Sequence, residues 1–120
     1  TGSASNRRVF VRIPEDEGIP DGLTVDSQGY VWSAQWYGSC IVRYDPDGKV
    51  ERRLVLPVRQ VSSVMFGGDG LTDIYVTTAA KGVVLSCAPQ GYDFAADNIG
   101  GAVYRTNLGI AGKREHLANI

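Results

Sequence analysis

The sequence predicts an all-β protein made of β-propeller blades: about two four-stranded blades plus an extra N-terminal strand. Three observations carry this expectation. Short alternating apolar runs are separated by turns rich in Gly, Pro and Asp along all 120 residues. No long segment keeps a 3.6-residue apolar period, so almost no helix is expected. The pattern that begins at Leu23 begins again at Val64, about 41 residues later, within the roughly 40 to 50 of propeller blades. With the Asp-x-x-Gly-x-x-Trp turn, this repeat favours a propeller over a small sandwich or partial barrel.

The elements follow in order. Val9, Val11 and Ile13 alternate along 7–13 as an exposed strand, and Glu15, Asp16 and Glu17 lie in a solvated connection. Pro20-Asp21-Gly22 is a turn, because Pro fixes φ, Asp bonds nearby backbone and Gly accepts positive φ. Leu23-Thr24-Val25 enters the first strand of a blade, and Asp26-Ser27-Gln28-Gly29 turns it back into Tyr30, Val31 and Trp32. The third strand covers 40–45, Pro46-Asp47-Gly48 is its hairpin turn, and 50–57 is the fourth. The second blade repeats this scheme with 61–66, 74–77, 101–105 and 114–120, interrupted by a long connection over 81–100. The whole chain, 1–120, therefore divides into a strand and connection of a preceding blade (7–18), a first blade (19–57) and a second (58–120).

The composition is that of a folded protein, 43% apolar and 21% charged. A net charge of −1 gives no field that would attract nucleic acid or an anionic membrane, and no apolar run approaches a membrane span of about 20 residues. Without a secretory signal, and with only Cys40 and Cys87, a cytoplasmic protein is expected.

Strand alternation assigns each turn to a face. Asp21, Arg59-Gln60, Tyr37-Gly38-Ser39 and the 81–100 connection converge on one face of the blades. The turns at 26–29, 45–48, 67–73 and 108–112 fall on the other. Asp21 thus leads into an innermost strand on the same face as the long insertion, where a pocket wall would stand. Asp47 belongs to an outer hairpin on the opposite face and is read as turn chemistry. His116 has no partner ligand at metal spacing, and Cys87 has no local base to activate it. Trp32, Tyr75 and Tyr104 are expected to pack between blades, whereas Trp36 and Tyr37 border the presumed site.

Ile19-Pro20-Asp21-Gly22, Asp26-Ser27-Gln28-Gly29-Tyr30-Val31-Trp32 and Val42-Arg43-Tyr44-Asp45-Pro46-Asp47-Gly48 resemble the gluconolactonase, regucalcin and luciferin-regenerating enzyme family. Leu56-Pro57-Val58, Ser62-Ser63-Val64-Met65-Phe66-Gly67-Gly68, Ile74-Tyr75-Val76-Thr77-Thr78-Ala79 and Gly100-Gly101 extend the likeness toward the C-terminus. The resemblance implies a six-bladed propeller that hydrolyses sugar lactones with a divalent cation, calcium or zinc. It also implies that Asp21 is both a metal ligand and the proton donor and acceptor. The family's remaining ligands, a Glu and two Asn, have no counterpart here. The chain resembles the C-terminal part of the family, somewhat less than half of it, so inactivity alone is expected. The alternative is a non-catalytic propeller module for binding or assembly. Two blades would leave apolar end faces open, so a homo-oligomer or a piece of a larger propeller is expected.

Overall fold

The computed structural model describes residues 3–80, 88–93, 95 and 100–116. Among the described residues, seven strands form two antiparallel meanders. The first sheet runs β1 (Ile19–Val25), β2 (Val31–Trp36), β3 (Cys40–Tyr44) and β4 (Val50–Val55), side by side in chain order. The second runs β5 (Val61–Gly67), β6 (Asp73–Thr78) and β7 (Val103–Asn107). The 3-10 turn Glu15–Glu17 is the one helical element among the described residues, and no described helix is long and apolar enough to cross a membrane.

Alternation decides which side chains meet. Trp32 and Ala34 of β2 and Ile41 of β3 point toward the second sheet, where Val61, Val64, Phe66, Ile74 and Val76 complete a single core. The Trp32 and Phe66 rings meet edge to face at 5.7 Å. On the other face of the first sheet, Cys40, Val42 and Tyr44 are buried beneath Val11. Ser33, Ala34 and Gln35 are all buried, because β2 is covered from both sides.

Two expectations change here. Residues 7–13 are predicted as a strand, yet 3–14 carry no regular secondary structure. Their side chains do find a face: Val11 packs as above and Phe10 meets Tyr44 edge-on at 6.5 Å. Their backbone, however, finds no partner strand among the described residues, and a strand needs a ladder. The fourth strand expected over 114–120 is likewise absent from 113–116, and 117–120 lie outside the described residues. Instead, the chain after β7 crosses to the first sheet. Gly112 bridges Asp26, the Ser27 amide donates to the Ala111 carbonyl (2.9 Å), and the Gly112 amide donates to Leu71 (2.8 Å).

Candidate active site

Asp21 does not sit in a connection between blades, as the Pro-Asp-Gly turn suggests; it lies inside β1. Pro20 pairs with Gln35 and Leu23 with Ser33, so Asp21 and Gly22 together face only Ala34. This is a β-bulge, which bends a strand and re-aims the extra side chain. Asp21 is exposed there. The bulge is wedged against the second sheet: a side chain at Gly22 would collide with the backbone and hydroxyl of Ser63. The innermost strand of the second sheet has its own bulge, at Ser62 between Val61 and Ser63, and Ser62 Oγ lies 2.9 Å from Thr77 Oγ1.

The other three segments assigned to this face, Tyr37-Gly38-Ser39, Arg59-Gln60 and the insertion, do meet. Gly18 (φ +96°) lies against the Trp36 carbonyl, so the connection entering β1 crosses the β2–β3 turn. That turn holds two non-glycine residues at positive φ, Tyr37 (68°) and Ser39 (56°), a local strain of the kind found at functional sites. Trp36 and Tyr37 meet at 6.0 Å, and Tyr92 of the insertion meets Tyr37 edge to face at 4.5 Å. The Arg59 guanidinium lies 5.4 Å from the Tyr92 ring centre. Burial pushes the Tyr92 phenol above its ordinary pKa, with Arg59 partly opposing. A cavity of about 790 Å³ opens between Val11 with the start of β1 (Ile19, Pro20) and the insertion (Ala88, Pro89, Gln90).

The opposite face is built for rigidity. Asp26 is fully buried and accepts from the Gln28 and Tyr30 amides, Trp32 Nε1, and Arg43 Nε and Nη2 at 2.7–3.0 Å. Desolvation raises its pKa, but these donors outweigh it and hold the carboxyl below its ordinary value. Arg43 also lies 3.7 Å over the Tyr30 ring and 3.2 Å from Glu51. Glu51 is held down at about 2, chiefly by Arg52, with Arg43 adding to the effect. In the sequence Asp26 reads as part of the 26–29 turn, with nothing that joins it to Arg43. The available signal was an Arg in a strand whose flanking residues are apolar.

The other candidates stay apart from Asp21. Asp47 is exposed in its hairpin, where Asp45 caps the amides of Asp47 and Lys49 at 2.9 Å. His116 is exposed, and Cys87 lies outside the described residues. Trp32 is core; Tyr75 and Tyr104 are half-buried. Among the described residues no three His, Cys, Asp or Glu side chains gather as a metal site. A hard divalent cation takes six or more oxygens, so the single Asp21 carboxylate does not by itself fit calcium or zinc.

Meandering sheets packed face to face, with a bulged carboxylate strand innermost, define a partial β-propeller. The chain belongs to the SMP-30/gluconolactonase/LRE-like family, whose sequence profile matches residues 1–80. It is 42% identical to the pentonolactonase XacC of Haloferax volcanii over 120 residues, all of this chain and 40% of that protein. It is 35% identical to regucalcin of Xenopus laevis over 113 residues, 93% of this chain and 36% of that one. Among solved structures it superimposes on a luciferin-regenerating enzyme with TM-score 0.67 and 34% identity, over 80% of this chain and 30% of the other. A regucalcin from Agrobacterium tumefaciens matches its fold with TM-score 0.78 and 24% identity, over 97% of this chain and 37% of the other. The chain thus spans about 40% of the length of its curated relatives.

Proposed function

We propose that this chain is the part of a sugar-lactone hydrolase that carries the proton-transfer residue, Asp21. The observation behind this reading is the bulge that turns one exposed carboxylate out of β1, next in sequence to Pro20, which lines a cavity. The 42% identity to a pentonolactonase along the whole chain supports the substrate class.

Hydrolysis of a lactone adds water to the ring carbonyl and breaks the bond from the carbonyl carbon to the ring oxygen. Asp21, ionised, takes one proton from the attacking water. Protonated, it returns that proton to the departing ring oxygen, leaving an open hydroxy acid and the starting carboxylate. Calorimetric titration of the chain with calcium or zinc is expected to show weak binding that Asp21→Asn removes. Tight binding untouched by that substitution would move the site elsewhere.

Activity is tested in the native protein that carries this chain. Asp21→Asn should lower lactone hydrolysis by about 100-fold or more while leaving the unfolding midpoint in place, since the side chain is exposed. The 120-residue chain alone should show negligible hydrolysis. Full activity of Asp21→Asn would refute the assignment.

A further inference from the structure

The insertion after β6 makes contacts that the fold does not require. Its Tyr92 reaches the β2–β3 turn of the first sheet. Tyr92 is the anchor, held between the Tyr37 ring at 4.5 Å and the Arg59 guanidinium at 5.4 Å. An edge-to-face aromatic pair with a cation over the second ring fixes both position and tilt. The receiving turn is itself held at positive φ by Tyr37 and Ser39. Three residues before Tyr92, the chain forms a cavity wall at Ala88, Pro89 and Gln90. The facing wall is formed by Val11, Ile19 and Pro20; Asp21 follows Pro20 directly in β1 but does not line the cavity. Its volume of about 790 Å³ lies within the roughly 300–1,000 Å³ of small-molecule sites. Its walls are mostly apolar, with the Gln90 amide and the Glu15 and Asp16 carboxylates as polar groups. That mixture suits a polyhydroxylated ring, which offers C–H faces and hydroxyl donors together.

Resting on the lactonase reading above, we propose that residues 88–93 form the outer wall of the substrate pocket and set the size of lactone that reaches Asp21. Tyr92 is a positioning residue: it docks the wall and takes no part in the proton transfer.

The test is made in the native protein, with a small five-membered lactone competing against one carrying a bulky ring substituent. Tyr92→Ala should shift the ratio of their kcat/KM values by about tenfold toward the bulky lactone, a change typical of reshaping one pocket wall. Tyr92→Phe keeps the ring that packs on Tyr37 and should move the ratio less than Tyr92→Ala does. Tryptophan emission should move to the red in Tyr92→Ala, because Trp36 packs on Tyr37, and Trp36→Phe should abolish that shift. If Tyr92→Ala does not fold, Gln90→Trp narrows the cavity instead and should reject the bulky lactone selectively. Wild-type hydrolysis with an unchanged ratio in Tyr92→Ala and Gln90→Trp would overturn the wall alone. A wild-type protein that hydrolyses no lactone would overturn the lactonase reading, and this proposal with it.

Discussion

Asp26 and Arg43 form a buried ion pair whose carboxylate is saturated by five donors. Neutralising Asp26 leaves buried Arg43 paired only with the partly exposed Glu51, so Asp26→Asn should destabilise the fold by about 3–5 kcal/mol in urea unfolding. The pH dependence has a definite sign. A carboxyl with a lowered folded pKa contributes stability that is fully present above its unfolded value of about 3.9 and is lost as pH falls through the lower folded value. Stability should therefore decline below about pH 4, and Asp26→Asn should flatten that limb. A variant as acid-sensitive as the wild type would refute the linkage.

At the scale of elements, the bulge in β1 depends on Gly22 lying against Ser63. Gly22→Ala should cost about 1–3 kcal/mol by overpacking, and adding Ser63→Gly should recover part of it, as read from a double-mutant cycle. An unaffected Gly22→Ala would mean that β1 and β5 can part without loss. This element also marks where sequence reading succeeds and stops. The strands β2 to β6 are legible because two-residue alternation and Gly or Asp turns both specify them. The placement of Asp21 is not, since Pro-Asp-Gly satisfies a turn and a bulge alike and only the ladder to β2 separates them. The buried state of Arg43 is hidden for a related reason: its partner is remote in sequence, and alternation marks Arg as a solvent residue. The strand expected over 7–13 fails on the same ground, as alternation shows a face but not a backbone partner. For the site, the converging face was derivable from strand direction, whereas the Tyr92 anchor emerges only from packing.

At the scale of the molecule, apolar side chains remain open beyond the shared core. Leu23 is 62% exposed, Met65 60% and Val103 67%. Exposed apolar positions on sheet faces and edges favour association with further sheets. The expected outcome is self-association of the chain at micromolar concentration, with three two-blade copies closing a six-bladed ring as one geometry. Sedimentation showing a folded monomer across that range would refute it.

The hydrogen bond from Ser27 to Ala111 joins a turn of the first sheet to a segment that follows the last strand. During synthesis this separation becomes a delay. Within the first sheet each strand pairs with its neighbour in the chain, contacts that close quickly and locally. A nascent chain can therefore assemble β1 to β4 while residues 108–112 are still in the ribosome. Until they emerge, the turn around Asp26 lacks its Gly112 bridge and the Ser27 amide faces water. Pulse-labelled hydrogen exchange should find amides of β2 and β3 protected early and that of Ser27 late.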